Sequence, residues 1–567
     1  MRYLPEDAIL SNISRKLSGI ARSSDTHAKT FGRILAWTVA ALAIFFVFFA
    51  VRFNGLTDIN AQDYAQMARR LSRGDGFTTG FIRPQAILTA PSIRQHPELT
   101  SPPLYTIVLA GSFKAFGASD KVVCLTSAFF YLLSVPLFFF AARRFYNRNT
   151  ALLSLSLYIT SAPLLDYSIS GLPMSLLIFL SLLLLLAVYA LDGRSVVYTI
   201  LAGVLTGLCS LTQYSFILLL IPLVLHLLAV CDTTEQKIRH SVYLALSCAV
   251  TIFPWLCRNL VLTGNPFFTF DFLKPLFFSE IFPGNAILRY ARHIDYSFLI
   301  VGKTLIKKIY FGVSDQYQQI FFLPQNYLMP LFLVSLVMLS RGKQLMLLKR
   351  FAAYALAIFA VVLSIYYPGV NLLAPLIPFV IMAASDFYLT IISGGSSVTS
   401  VSRRARAVAI AVFIAVNVYP LVTRIVFGAP PASPYPRERM EKIAQLVGKD
   451  DPVVTDIPWA VAWYCDRTAV WLPMAEIDYL IVGKAAGGIN NIYLSPILFE
   501  YHRTENIELW KNIFMSRRLP RNILLRAATY LPEGGMFLSN EPKWEKLQQQ
   551  KKEPSAVPAI PGMGQTE

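Results

Sequence analysis

Long uncharged apolar stretches constrain this chain more than any other feature of its sequence. They recur at Ile34 to Val51, Val122 to Ala142, Leu172 to Leu191 and Phe216 to Val230. Each approaches or reaches the roughly 17–25 apolar residues that a helix needs to cross a bilayer. Buried helices of a large soluble core are the alternative, but only 15% of the 567 residues are charged, against about a quarter in soluble domains. The sequence therefore predicts an α-helical polytopic membrane protein.

Basic residues are distributed unevenly among the segments between these stretches. The short loops near Asp166 and from Tyr366 to Asn371 hold no Lys or Arg. The loops on the other side of the spans are rich in Lys and Arg. Because basic loops stay in the cytoplasm and meet anionic headgroups, this basic set of loops is predicted to be cytoplasmic. This accounts for the net charge of +18, so we expect membrane lipid and no nucleic acid as a partner. The basic set comprises Arg15, Lys16, Arg22, Lys29, Arg33, Arg143, Arg144, Arg148, Arg194, Lys237, Arg239, Arg341, Lys343, Lys349, Arg350, Arg403, Arg404 and Arg406.

The alternation of apolar runs and basic loops predicts about eleven spans within a transmembrane domain at 34–427. Residues 103–117 are predicted to form a helix on the outer surface instead, because a span there would break the alternation of charge. Residues 1–33 become a cytoplasmic segment before an uncleaved anchor. Outer loops follow at 53–120 and 258–325. The spans are expected near 34–52, 121–142, 150–165, 172–191, 196–211, 213–231, 240–257, 326–340, 350–366, 371–391 and 406–427.

The composition changes after Phe427, and a small extramembrane α/β domain is predicted at 428–547. A Pro-rich linker leads to a helix at Arg437 to Val447 and to three strands. The strands are expected at Pro452 to Asp456, Thr468 to Leu472 and Asn491 to Leu494. Residues 548–567 are polar and Pro-rich, so a disordered tail is predicted. Two interpretations stay open for the tail aromatics, sugar stacking or a domain core: Trp459, Trp463, Tyr464 and Trp471.

The six cysteines and six histidines are scattered along the chain. Four of the cysteines fall within or at the ends of predicted spans, and the spacings match neither a disulfide framework nor a zinc site. We therefore expect no metal and no cofactor.

Five segments resemble four elements of the GT-C membrane glycosyltransferases. Residues 58–80, DINAQDYAQMARRLSRGDGFTTG, and 96–117, HPELTSPPLYTIVLAGSFKAFG, resemble that family's first outer loop. LAGVLTGLCSLTQ at 201–213 resembles its Gly-rich mid-chain span, and PWLCRNLVLTGNPFF at 254–268 its Pro-Trp, Arg-Asn, Gly-Asn-Pro element. Residues 366–383 resemble its late L-x-P-x-x-P span. The likeness covers roughly 34–390 and is nearest to the protein mannosyltransferase and aminoarabinose transferase branch.

The resemblance implies the fold and the activity of that family. The donor would be a sugar on polyprenyl phosphate in the outer leaflet, and the acceptor a hydroxyl on a lipid, glycan or protein. Transfer would usually invert the anomeric carbon. In a bacterium the protein would lie in the inner membrane, with the C-terminal domain in the periplasm.

This chemistry needs a carboxylate to take the proton of the hydroxyl and a cation to stabilise the leaving phosphate. Asp63 is the first candidate for the base and Asp58 the second, because both follow the first span. Arg258 with Asn259 is the candidate for the phosphate, and Arg83 and Lys274 are weaker ones. Further candidates for substrate binding are Asn60, Tyr64, His96, Glu98 and Asp166.

The sequence also departs from the family pattern. Asn60 stands where the family usually has its key acid, Met174 where a carboxylate is common, and Asn371 where a basic residue is frequent. These departures favour the alternative of a non-catalytic envelope-biogenesis protein or a transporter. A transporter would carry ionisable groups or broken helices at mid-membrane, whereas the charges here fall at the span ends.

Each candidate has a structural alternative. Asp58 and Asp63 could cap or charge the first turn of a helix, and Arg258 could be a membrane-edge arginine. His96 and Glu98 could form an acid–base pair or an ordinary polar loop.

Overall fold

The protein is described from a computed structural model. It covers residues 32–540 except 33, 91, 271, 273–285, 293–297, 326, 339–341, 367–369, 394–401, 431–434, 501–506, 517, 521–522, 524, 526 and 532–533. Two compact units share the chain. The first consists of Met1–Tyr64, Ser101–Phe268 and Leu299–Ser433, and the second of Ala65–Thr100, Thr269–Phe298 and Pro434–Glu567. The predicted segments 1–33 and 548–567 thus lie almost entirely outside the described residues.

The first unit is helical. Short 3-10 segments, Tyr214–Leu219 and Val370–Leu376, precede two of its helices. Its helices are α1 (Ile34–Arg52), the start of α2 (Ile59–Arg73), α3 (Pro103–Phe116), α4 (Asp120–Phe145), α5 (Arg148–Ile159), α6 (Ala162–Ile169), α7 (Met174–Ala190), α8 (Val196–Thr212), α9 (Leu220–Val230), α10 (Thr234–Thr263), α11 (Phe298–Ile320), α12 (Leu328–Val337), α13 (Lys343–Tyr366), α14 (Ile377–Ile392) and α15 (Arg403–Val426).

The predicted spans are confirmed as apolar helices, but several are not single long ones. In the part of the chain that the structure describes, six helices are long and apolar enough to cross a membrane, or seven if the bent pair α5–α6 is counted as one span. The span predicted at 150–165 is interrupted, since the chain bends by 51° between α5 and α6. Pro163, in the first turn of α6, cannot donate a helix hydrogen bond, and this favours the break. The count of eleven spans stays a prediction.

Small residues let α8 and α10 pack closely. A Cβ atom on Gly203 would lie 2.5 Å from the Leu244 carbonyl oxygen, and one on Gly207 would lie 2.7 Å from Thr251 Cβ. Glycines four residues apart on one helix face allow two backbones to approach, as in many membrane helix pairs. Helix α10 ends at Thr263, beyond the predicted limit at Cys257, and its last turns carry Arg258.

A polar side chain, that of Gln325, joins the start of α6 to α15 inside the first unit. Gln325, in the turn before α12, has a φ of 84° and is 5% exposed. Its side-chain oxygen accepts a hydrogen bond of 3.1 Å from the Ala162 backbone N–H, at the start of α6, and its amide group donates to the Asn417 carbonyl on α15. Backbone groups exposed by a helix break need partners in an apolar environment. The Gln325 amide provides one.

The second unit is an α/β structure with a six-stranded sheet in the order β1-β3-β2-β4-β6-β5. The predicted strands are confirmed as β2 (Val453–Thr455), β3 (Ala469–Trp471) and β4 (Asn491–Leu494). They run parallel, whereas β5 (Ala527–Tyr530) and β6 (Met536–Ser539) pair antiparallel. Strand β1 (Phe81–Ile82), which joins the sheet from the first outer loop, was not predicted from the sequence. The helices are the end of α2, α16 (Arg437–Leu446), α17 (Glu476–Ala485) and α18 (Glu508–Ser516).

Candidate functional site

Asp58 caps the N-terminus of α2. Its Oδ1 atom accepts hydrogen bonds from the backbone N–H groups of Asn60, at 2.8 Å, and Ala61, at 3.3 Å. A side-chain oxygen at this position satisfies N–H groups that have no partner within the helix. Burial raises the pKa of the Asp58 carboxyl above its ordinary value, and the two N–H groups oppose this shift. The capping role considered for Asp58 is therefore the one that its contacts support.

Asp63 lies one turn further along α2 and is almost completely buried, with 5% of its surface exposed. Asn60 is exposed on the first turn of the same helix. The neighbour Gln62 is fully buried and donates a 2.7 Å hydrogen bond from Nε2 to the Leu56 carbonyl. That bond ties the helix to the residues that follow α1. Asp63 is therefore held on a fixed element, as a base must be to reach a substrate proton.

Tyr105 fixes the position of Tyr64, next to Asp63. The two rings meet edge to face, with centroids 5.5 Å apart and an interplanar angle of 89°. The Tyr105 hydroxyl donates to the Gly171 carbonyl at 2.9 Å and lies 2.8 Å from Ser127 Oγ. The Pro-Pro-Leu-Tyr motif of the sequence thus places one buried hydroxyl at the turn between α6 and α7.

Gly171 makes that turn possible. Its φ is 74°, in the left-handed region that favours glycine. A Cβ atom here would lie 2.8 Å from Val123 Cγ1, 2.9 Å from Leu56 Cδ2 and 3.3 Å from Ala61 Cβ. The start of α2 therefore packs directly on this glycine, which the sequence analysis did not single out.

Arg258 lies on the last turns of α10 beside aromatic and amide groups. Its guanidinium carbon is 4.4 Å from the centre of the Trp255 ring, and its Nη1 atom is 3.4 Å from Asn259 Oδ1. Trp255 Nε1 donates to the Tyr214 hydroxyl at 2.8 Å. Asn259 is buried, and its Nδ2 atom is 3.5 Å from the Pro266 carbonyl. The Arg-Asn and Gly-Asn-Pro segments thus form one local structure.

Asp166, the candidate on α6, forms an ion pair with Arg424 near the end of α15. The adjacent Tyr167 donates a 2.9 Å hydrogen bond to Asn371 Oδ1. Two of the residues that depart from the family pattern lie in this region. Asn371 accepts the hydrogen bond from Tyr167, and Met174 is the buried first residue of α7. Arg424 was not among the predicted site residues, because its apolar flanks on α15 are those of an ordinary span end.

Three other candidates belong to the second unit and lie close together. Arg83 follows β1, and its Nη1 atom is 3.8 Å from Glu98 Oε2. Glu98 also accepts a 2.7 Å hydrogen bond from the Thr100 backbone N–H. His96 is 1% exposed, its Nδ1 atom lies 2.9 Å from the Ser92 carbonyl, and burial lowers its pKa. The structure thus pairs Glu98 with the Arg83 guanidinium. Lys274 lies outside the described residues.

The carboxyl ends of β2 and β4 hold a polar pair that the sequence analysis missed. Asp456, fully buried, accepts hydrogen bonds from the Ser495 backbone N–H at 2.8 Å and from its hydroxyl at 2.5 Å. Burial raises the pKa of Asp456 to about 6. The Trp459 and Trp471 rings lie 5.9 Å apart in the interior, and both meet Phe81. These contacts support the core interpretation of the tail aromatics.

No group of three or more His, Cys, Asp or Glu side chains that could hold a metal ion occurs among the described residues.

Comparisons with known proteins place this geometry in context. A family model described as dolichyl-phosphate-mannose-protein mannosyltransferase matches residues 100–257. The crystal structure of ArnT from Cupriavidus metallidurans bound to undecaprenyl phosphate is 15% identical, with a TM-score of 0.56, and the match covers 90% of this chain and 98% of that one. The apo state of ArnT gives 14% identity, a TM-score of 0.55 and the same coverage.

A second solved structure is similar over most of the chain. The Archaeoglobus fulgidus oligosaccharyltransferase, tethered with an acceptor peptide, is 13% identical with a TM-score of 0.54, and covers 90% of this chain and 74% of that one. A search of curated proteins finds no match. The structural likeness confirms the predicted GT-C fold. It also confirms the prediction of a helical multi-pass membrane protein.

Proposed function

We propose that the protein is a glycosyltransferase that moves a sugar from a polyprenyl-phosphate donor to a hydroxyl acceptor on a lipid, glycan or protein, with inversion. The reaction takes place at the outer face of a bacterial inner membrane, and the second unit lies in the periplasm. No cofactor takes part. The observation that carries the proposal is the fold: 90% of the chain aligns with almost all of ArnT, a protein solved with undecaprenyl phosphate.

Asp63 is the proposed base. It is buried on a rigid helix start, and a buried carboxylate near the acceptor hydroxyl takes the proton as the new glycosidic bond forms. Asp58 already receives two backbone hydrogen bonds as a helix cap, so its role is to hold α2. The phosphate leaves from the opposite side of the anomeric carbon.

Arg258 is the proposed partner of the leaving phosphate. A guanidinium holds phosphate oxygens with two parallel hydrogen bonds and stabilises charge that grows in the transition state. Its stacking on Trp255 fixes the plane of the guanidinium group. Asn259 and the turn at Asn265 to Pro266 keep this end of α10 in one conformation.

An apolar pocket in the first unit suits the isoprenoid chain of the donor. It is partly open, and the space inside it continues into the solvent. Its walls come from α7, α13 and the two 3-10 segments, and they contain a single hydroxyl, that of Ser181. Burying apolar chain in such a space stabilises binding by about 0.8 kcal/mol per methylene group.

The test is sugar transfer by the purified full chain in vesicles that contain hexosyl and pentosyl undecaprenyl phosphates. Wild type should release undecaprenyl phosphate, and Asp63→Asn should lower the rate by about 10²–10⁴, the usual contribution of a general base. Arg258→Gln should lower it by about 10²–10³, like the loss of one charge-stabilising donor. Asp75→Asn, which alters an exposed carboxylate in the loop after α2, is the control.

Asp58→Ser separates capping from catalysis at the second acid. Serine caps helices nearly as well as aspartate but has no carboxylate. Retained transfer by Asp58→Ser, together with loss by Asp63→Asn, assigns the base to Asp63. The reverse pattern assigns it to Asp58. If wild type transfers no sugar from any donor, the glycosyltransferase proposal is wrong.

One observation favours the second candidate, a transporter. Helices that are broken inside the membrane are typical of transporter sites, and the Gln325 contact joins one such break, at the start of α6, to α15. Movement of a labelled polyprenyl-phosphate sugar across the same vesicles, without transfer, would support this alternative.

A further inference from the structure

Helix α11 carries an exposed apolar stripe. Ile306, Tyr310, Val313 and Tyr317 are 72%, 71%, 43% and 68% exposed, respectively. Their spacing of four, three and four residues places them on one side of the helix. Large exposed patches of this kind mark contact with a partner or with a membrane.

The side of α11 next to this stripe is attached to α13. A Cβ atom on Gly312 would lie 2.6 Å from Ser364 Cα, so the two backbones nearly touch. Gln316 Nε2 donates hydrogen bonds of 3.0 Å to the Ala360 carbonyl and to Ser364 Oγ. Ser364 lies near the end of α13, remote from the basic residues Lys343, Lys349 and Arg350 at its start. Helix α11 therefore packs on the end of α13 that is predicted to face outward.

The remaining side of α11 carries charged residues and one exposed aromatic residue, Phe311. At about 100° per residue, Lys303 and Lys307 lie at about 60° and about 100° from the direction of Ile306, and Asp315 lies opposite. All three are exposed. The two lysines thus border the apolar stripe, which is where long basic side chains reach phosphate groups of a bilayer.

The charges of α11 also distinguish it from a span. It has 23 residues, but Lys303, Lys307, Lys308 and Asp315 lie within it, and it is not among the six helices apolar enough to cross a membrane. A helix with an apolar side, a charged side and modest overall hydropathy lies in the plane of the membrane surface.

We propose that α11 is an interfacial helix that inserts the stripe from Ile306 to Tyr317 into the outer leaflet and binds anionic lipid headgroups through Lys303 and Lys307. The partner is the phosphate of an anionic bilayer lipid. Complementary charge and the attachment to the outward end of α13 select it over a protein partner. The proposal is independent of sugar transfer and is tested without an activity measurement.

Photocrosslinking tests the orientation. The photoreactive residue p-benzoylphenylalanine replaces Tyr310, Tyr317 or Asp315 in the full chain, reconstituted in vesicles of phosphatidylcholine with phosphatidylglycerol. Lipid adducts are expected at positions 310 and 317, and at least fivefold fewer at 315. Equal adducts at all three positions would mean that α11 is surrounded by lipid, and adducts at none would mean that it lies in water. Either result overturns the proposal.

Charge removal tests the headgroup. Each lysine near an anionic surface contributes about fivefold to binding, so Lys303→Gln with Lys307→Gln should lower retained phosphatidylglycerol by at least fivefold relative to phosphatidylcholine. The control pair, Lys449→Gln with Lys484→Gln, makes the same change at exposed positions of the second unit. Native mass spectrometry counts the retained lipids. Equal retention by both pairs contradicts the lysine contacts. Inorganic phosphate added in excess should not compete, because lipid and not free phosphate is the ligand.

Discussion

The start of α2, with Asp58 and Asp63, and the end of α10, with Arg258, are positioned in different ways. The start of α2 is held by directed contacts from three segments: the Gln62 hydrogen bond to Leu56, the Tyr64–Tyr105 ring contact and the close approach of Gly171. The body of α10 is held by the close fit of its backbone against two glycines of α8. The stability of the start of α2, the acid region, should therefore fall when single atoms are removed. The stability of the end of α10, the arginine region, should fall when side-chain volume is added.

Gly203→Leu should have the largest effect, because it adds volume between α8 and α10. The new side chain would meet the Leu244 carbonyl, which cannot move without the helix. We expect a loss of about 3 kcal/mol in stability, together with loss of the Arg258 contribution to transfer. Thermal unfolding in detergent measures the loss of stability. Gly111→Leu, on α3 with nothing within 4 Å, is the control, and equal melting of the two variants would contradict close packing here.

Gly171→Ala should come next, because it combines backbone strain with overlap. The left-handed conformation costs a non-glycine residue about 1–2 kcal/mol, and contact with Leu56 and Val123 adds about 1–3 kcal/mol. Gly76→Ala separates the two effects, since Gly76 has a φ of 73° and nothing within 4 Å. A melting temperature for Gly171→Ala no lower than for Gly76→Ala would show that the start of α2 does not depend on this contact.

Tyr105→Phe removes one oxygen atom from the acid region. The Gly171 carbonyl and Ser127 hydroxyl lose a buried partner, which costs about 1–3 kcal/mol. Tyr198→Phe, at a 40% exposed tyrosine on α8, should change melting little. If Tyr105→Phe melts and transfers sugar like wild type, the hydroxyl does not position α2.

Asp58→Ala should have the smallest effect, about 1 kcal/mol, because it removes only a helix cap. Its pH dependence has a definite sign. Since the pKa of Asp58 is raised in the folded protein, the folded state keeps the proton to higher pH than the unfolded chain. The contribution of Asp58 is therefore present below the unfolded pKa of about 3.9 and declines as pH rises through the folded pKa. The melting temperature of wild type should therefore fall relative to that of Asp58→Asn as the pH is raised from 4. A difference in melting temperature that does not change with pH would contradict the raised pKa.

The sequence predicts those features that depend on neighbours along the chain. Apolar runs located the helices of the first unit, and short apolar runs rich in β-branched and aromatic residues located β2, β3 and β4. The break before α6 also has a local signal, since Pro163 disfavours a continuous helix. Asp58 as a cap follows from its position just before a helical pattern.

Contacts between distant segments had no comparable signal. The strand β1 contains two residues, Phe81 and Ile82, which is too short for an alternating pattern, and its partner β3 lies far along the chain. The pairing of Asp166 with Arg424 and of Tyr167 with Asn371 depends on which helices meet. Gly171 could have been noticed as a turn residue, but its contacts with Leu56 and Ala61 require the folded structure.

The polar turn at Gln325 has a consequence for how the chain is made. Helix α12 has ten residues, a length of about 15 Å, or about half of a hydrocarbon core of roughly 30 Å. Its own hydrophobicity is therefore insufficient for stable insertion, and it depends on helices already in the membrane. When Gln325 leaves the ribosome, Ala162, whose N–H group donates to the Gln325 side chain, has already been synthesised. The Asn417 carbonyl that it donates to comes 92 residues later, so this part of the membrane domain is completed only after α15 has been inserted.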